Sequence, residues 1–184
     1  MEEYAITVKD LKIRYKSVQA YSIKKSLLRL KGVEAKAFEA VRGISFEVKQ
    51  GEILGITGKN GSGKSTLLRA LAHIFSADEG SIDLHGHSVS LLAIGVGFKN
   101  EMTGRENIML IDEVLSVGDE KFKKKSYEKM KSLISQRNRT VVIVSHSLKT
   151  LEELCDRVMW MHEGKIVKIG EPVEVLNEYR EFMK

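Results

Sequence analysis

The sequence predicts an α/β fold on a parallel sheet, and three observations predict it. Apolar runs of strand length alternate with amphipathic helical stretches along most of the chain. A glycine-rich loop, Gly58-Lys59-Asn60-Gly61-Ser62-Gly63-Lys64-Ser65, lies between a strand pattern and a helix pattern. Two further apolar runs end in polar residues, Ile108–Ile111 in Asp112-Glu113 and Thr140–Val144 in Ser145-His146. Open α/β sheets bind ligands at such carboxyl ends.

The elements follow in order. Ile6, Val8, Leu11 and Ile13 predict one or two strands, and Ile44–Val48 alternates as a half-buried strand. Glu52–Thr57 is a core strand feeding the glycine loop. The helix after Gly63 carries Leu67, Leu68, Leu71 and Ile74 at helical spacing. Gly80–Leu84, the turn His85-Gly86-His87-Ser88, and Val89–Leu92 read as a hairpin. A helix is predicted from about Glu120 to Ser135, a β-branched buried strand over Thr140–Val144, and a helix over Leu148–Cys155. Arg157–Met161, the turn at Gly164 and Lys165–Ile169 make a second hairpin. Pro172 suits a helix start, where its missing N–H costs nothing. Between Tyr15 and Phe38, Ile23, Leu27 and Leu30 share one helical face, ringed by Lys24, Lys25, Arg29 and Lys31. This basic amphipathic helix is either an ordinary surface helix or one that touches a membrane protein or anionic headgroups.

The bulk numbers narrow the class. A chain of 184 residues makes one domain with a real core. No stretch is long and apolar enough to span a bilayer. The start, Met1-Glu2-Glu3-Tyr4, lacks an apolar run, so no signal peptide is expected. One cysteine, Cys155, excludes an internal disulfide framework, suits a reducing compartment and reads as a small buried hydrophobe. The net charge of +5 is too modest to argue for nucleic acid, and no such partner is expected. The lysines from Lys121 to Lys131 read as a solvated helix face.

The glycine loop carries the chemistry. Its glycines let backbone N–H groups curl around phosphate oxygens, and the following helix points its positive end at the same anion. Lys64 is placed to neutralise β- and γ-phosphate charge, and Ser65 to offer its hydroxyl to Mg²⁺. Asp112, at a strand end, supplies an oxygen that a hard cation wants. Glu113 is then placed to polarise an attacking water, and His146 to act beside the γ-phosphate as donor or sensor. His73, His85, His87 and His162 show no metal-ligand spacing and read as surface or turn residues.

Gly58–Thr66, Leu110–Glu113 and Val144–His146 together resemble the Walker A, Walker B and switch-histidine motifs of ABC transporter ATPases, over nearly the whole chain. Thr103–Asn107 and Asp112–Asp119 resemble the ATPase subunits of exporters of teichoic acids, O-antigens or capsular chains. The resemblance implies a P-loop NTPase (RecA-like) core with an antiparallel β subdomain, spanning 1–184 as a single nucleotide-binding domain. It implies ATP and Mg²⁺ as ligands, Tyr15 or Phe38 stacking on adenine, Thr66 near the α-phosphate, and Ser116–Asp119 facing a second subunit. A core aromatic is the plain alternative for Tyr15 and Phe38. Implied partners are a transmembrane permease subunit and a second copy of the chain, at the cytoplasmic face of the membrane. The basic helix is similar to an insertion that lies against the membrane partner in this group, which favours the membrane-facing reading.

Two departures stand out. No glutamine occurs near Gly95–Glu101, where the family carries one. More important, the family places a helical subdomain and signature motif after the Arg105-Glu106-Asn107 position. Here Ile108 begins the Walker B strand almost at once, and no LSGGQ-like run exists in the chain. The helical subdomain is missing, with the junction near 107–109. The expectation is Mg-nucleotide binding with weak or absent hydrolysis and weak coupling to transport. The alternatives are a nucleotide-binding scaffold or sensor without useful turnover, and an ABC-like DNA-repair head, for which the heptad flanks and signature motif are lacking.

Overall fold

A computed structural model describes residues 3–15, 37–93, 108–112, 128, 131–132 and 139–184. The basic amphipathic stretch, 94–107, Glu113 and the 116–119 loop lie outside the described residues. Glu128, Lys131 and Ser132 have helical backbone, in line with the helix expected there.

The described elements run β1 (Tyr4–Tyr15), β2 (Phe38–Lys49), β3 (Ile53–Thr57), α1 (Lys64–Leu71), β4 (Glu79–Asp83), β5 (Val89–Ala93), β6 (Ile108–Asp112), β7 (Thr140–Val144), α2 (Leu148–Leu154), β8 (Arg157–His162), β9 (Lys165–Gly170) and α3 (Pro172–Phe182). They form two sheets. One is antiparallel, in the order β2-β1-β4, and the other has the order β5-β6-β7-β3-β8-β9. In the larger sheet all pairs are parallel except β8 with β9. This is the P-loop α/β core with its antiparallel β subdomain.

Period-two alternation splits the core between the faces of the larger sheet. Leu54, Ile56, Ile108, Leu110, Val142, Val144, Met159 and Met161 face α1 and the antiparallel sheet. Ile53, Met109, Ile111, Val141, Ile143, Val158 and Trp160 face α2 and α3. Strands covered on both sides read as unbroken apolar runs, which is how β6 and β7 look in the sequence. Cys155 joins the second cluster, and burial pushes its thiol up to about 12.

Two expectations need correction, and one left open is settled. The hairpin over Gly80–Leu92 does not form. β4 pairs antiparallel with β1, Val8 opposite Ile82, whereas β5 pairs parallel with β6 in the other sheet. The turn at His85-Gly86 is real, with φ of 50° and 78°, and Asp83 Oδ1 accepts from His85 N at 2.8 Å. Turn residues fix where a chain bends, but the buried faces on each side decide what it pairs with. Of the one or two strands expected over Ile6 to Ile13, one forms, bulged between Val8 and Leu11, where Asp10 adopts φ 47°. Ile74 lies beyond α1 and is exposed, because the chain leaves the helix at Ala72 and His73 turns to φ 55°. The hairpin of β8 and β9 forms as expected, and Pro172 opens α3.

Candidate functional site

The glycine loop leaves the carboxyl end of β3 and enters α1 at Lys64. β3 is buried throughout, so its end is fixed by the sheet. Gly63 caps α1 at φ 101° and no side chain caps the helix, leaving its positive end facing the loop.

Two of the loop glycines answer to the protein's own backbone. A Cβ at Gly58 would lie 2.2 Å from Met161 O, and one at Gly63 would lie 2.3 Å from Ala40 O. Both also have positive φ. A Cβ at Gly61 would meet nothing within 4 Å. The loop is therefore pressed between β2 and β8, with one open corner. The turn after β8 braces it further, since Gly164 N donates to Ser62 O at 3.1 Å and Arg42 N donates to Gly164 O at 2.8 Å. Ala40, Met161 and Gly164 are thus site-building residues that the loop motif gives no sign of.

Lys64 is 5% exposed, and burying an ammonium demands compensation. Its Nζ donates to Gly58 O at 2.8 Å and to Lys59 O at 3.0 Å. The charge is thus folded into the loop that a phosphate would enter. The buried Ser62 hydroxyl has no hydrogen-bond partner among the described residues.

Asp112 ends β6, opposite Val144 of β7, which in turn lies opposite Ile56 of β3. The three strands thus finish level beside the loop. Ser65 Oγ stands 3.4 Å from Asp112 Oδ1, long for a hydrogen bond between two oxygens. Neighbouring oxygens on an octahedral Mg²⁺ sit roughly 3 Å apart, given ligand distances of about 2.0–2.1 Å. Ser65 and Asp112 therefore fit as a hard-cation pair, and the glycine loop with Lys64 fits a polyphosphate. His146 is exposed just past β7, two residues beyond Val144. No group of three His, Cys, Asp or Glu suited to a metal occurs among the described residues.

Tyr15 and Phe38 are cross-strand partners at the end of β1 and β2, and both are exposed, 39% and 54%. Tyr15 Oη lies 3.2 Å from the Thr66 hydroxyl, and its ring meets Phe75 edge-on at 5.9 Å. The structure thus brings both aromatic candidates and Thr66 to one region.

Comparison with known proteins agrees with this architecture. The sequence profile of the ABC transporter family matches residues 41–157. The chain is 32% identical to the teichoic acids export ATP-binding protein TagH of Lactiplantibacillus plantarum, over 87% of this chain and 60% of that protein. It is 31% identical to the O-antigen export system ATP-binding protein RfbB of Myxococcus xanthus, over 80% of this chain and 46% of that protein. The chain thus spans about half to three fifths of the length of these relatives. The TagH alignment runs to 218 positions yet takes in only 87% of this chain's 184 residues, about 160, so nearly 60 of those positions have no counterpart in this chain. Among solved structures, the dimeric post-hydrolysis ATP-binding cassette MJ0796, bound to ADP and Pi, superposes with a TM-score of 0.68 at 15% identity, covering 91% of this chain and 98% of that one. That likeness is one of fold.

Proposed function

This chain belongs to the ABC transporter family, and from that premise we propose that it is the ATP-binding subunit, or its core, of an exporter of a cell-surface polysaccharide of the teichoic acid, O-antigen or capsular type. One observation carries the nucleotide reading. A nearly buried ammonium, Lys64, is held on two carbonyls of a glycine loop between β3 and α1, with Ser65 and Asp112 alongside.

Gly58–Thr66 would hold the phosphates, through backbone N–H groups and the end of α1. Lys64 would exchange its carbonyl partners for phosphate oxygens. Ser65 and Asp112 would hold Mg²⁺, which when bound neutralises phosphate charge. Tyr15 would offer its ring to the adenine base. Glu113 would orient and deprotonate the attacking water, and His146 would donate to the terminal phosphate.

The domain reading is one nucleotide-binding domain over 1–184, shortened near 107–109. It is supported by β6, which begins at Ile108 and pairs in unbroken register with both β5 and β7. It is also supported by the TagH residues that have no counterpart here. Two copies would pair at the membrane's cytoplasmic face, beside a transmembrane permease. Among the described residues no helix is long and apolar enough to cross a membrane. Without a signature motif from the partner copy, hydrolysis is expected to be weak. A scaffold or sensor role without turnover is the second reading.

Calorimetric titration with Mg-ATP, paired with a phosphate-release assay, tests this. The expected result is saturable binding with little phosphate release. Absence of binding would sink the nucleotide reading. Vigorous release that vanishes in Glu113→Gln would overturn the impaired-hydrolysis reading.

A further inference from the structure

Resting on the nucleotide-binding reading above, we propose that Phe182 is a positioning residue for the phosphate loop, acting through Lys59. Helix α3 carries Val175, Leu176, Tyr179 and Phe182 at helical spacing. The first three are buried in the core cluster on the α2 and α3 face of the larger sheet. Tyr179 meets Trp160 edge-on at 5.6 Å. Burial raises the Tyr179 phenol above its ordinary value, and the nearby Thr57 hydroxyl partly opposes this. Trp160 lies opposite Thr57, which immediately precedes the loop, so α3 reaches the loop's base through Trp160.

Phe182 extends this stripe one turn further. Its ring meets Trp160 at 5.1 Å and His162 at 5.0 Å, so two residues of β8 flank it while 43% of Phe182 stays exposed. Over that ring lies Lys59 Nζ, 4.7 Å from the centroid, within the range of cation–π attraction. Lys59 is therefore gripped twice. Phe182 takes its side chain, and Lys64 Nζ takes its carbonyl at 3.0 Å. The loop's open corner, Asn60-Gly61, comes next, exposed and with Gly61 at φ 79°. Holding Lys59 limits how far that corner wanders before a phosphate arrives. A loop ordered in advance loses less entropy on binding. Phe182 touches no proposed ligand, and its contribution runs through Lys59.

Two measurements on the full chain test this. The first is amide hydrogen exchange of residues 59–61 without nucleotide. Phe182→Leu keeps apolar contact with Trp160 but removes the ring face, and exchange is expected to rise about threefold to tenfold. Phe182→Tyr keeps the face and is expected to match the native rate. The second is the Mg-ATP dissociation constant, expected to rise about threefold to tenfold in Phe182→Leu, and to rise no further when Phe182→Leu is added to Lys59→Met. Thermal melting tracks folding throughout. Unchanged exchange in Phe182→Leu would overturn the proposal whether or not ATP binds. Equal losses with and without the Lys59 side chain would also overturn it, by making Phe182 a packing group only. Altered exchange in a protein that binds no Mg-ATP would instead count against the nucleotide reading and leave the loop-positioning role standing.

Discussion

The loop proposed for phosphate is enclosed by its own chain, whereas the aromatics proposed for the base stand in the open at a sheet end. Lys64 is 5% exposed, and Gly58 and Gly63 are pressed against the carbonyls of Met161 and Ala40. Tyr15 and Phe38 share one cross-strand pairing, Tyr15 alone also meets the Phe75 ring and the Thr66 hydroxyl, and over a third of each is exposed. The phosphate end is thus fixed by folding itself, because the strands cannot pack without shaping it. The base end adds contact area to a shape set elsewhere. Phosphate should supply most of the affinity, and the base a sequence-tolerant remainder.

Substitutions at the two ends should differ in kind as well as size. Gly58→Ala sets a Cβ against Met161 O at a positive φ, and should cost about 3 kcal/mol of folding stability, lowering the melting temperature by roughly 10 °C. A melt within 2 °C or so of native would mean the loop is not pinned. Lys64→Ala should leave the fold close to native but weaken Mg-ATP binding on the order of a hundredfold, since hydrogen bonds from a charged group are worth about 1.5–3 kcal/mol each. A loss under about tenfold would place the affinity elsewhere. Tyr15→Ala should weaken binding by about tenfold with no change in melting, and a hundredfold loss would erase the contrast between the two ends. Gly61→Ala has open space and bears only the conformational penalty of φ 79°, about 1 kcal/mol by denaturant melts.

Cys155, buried on the face of the sheet that α2 and α3 cover, offers a control outside the loop and the two aromatics. Burial, and secondarily Asp156, raises the Cys155 thiol from 9.0 to about 12, so folding favours its neutral form. That contribution is complete below pH 9 and is lost as pH rises toward 12. Relative to Cys155→Ala, the native chain should lose on the order of 1 kcal/mol in urea melts between pH 8 and pH 10. Nucleotide affinity should not follow this change, and a parallel shift would tie the site to the Cys155 thiol itself.

What the sequence disclosed follows the same division. Gly58–Ser65 was legible because a strand, a glycine run and a helix are local signals, as were the β8–β9 hairpin around Gly164 and the Pro172 start of α3. Asp112 was legible because four apolar residues precede it. The separation of β4 from β5 was not, because both flank a genuine turn and only distant partners, β1 and β6, distinguish them. Nor was the bracing by Ala40 and Met161, since each meets the loop through long-range packing that leaves no local trace. Only strand register makes Tyr15 and Phe38 neighbours, and nothing local in the sequence shows it.

Side-by-side equilibrium titrations with Mg-ATP and Mg-GTP bear most directly on the contrast between the two ends. Both nucleotides should bind, with dissociation constants within about tenfold of one another, because they share the triphosphate and differ only over the exposed aromatics. Binding of neither, or a GTP affinity weaker by a hundredfold or more, would contradict a site governed by its phosphate loop.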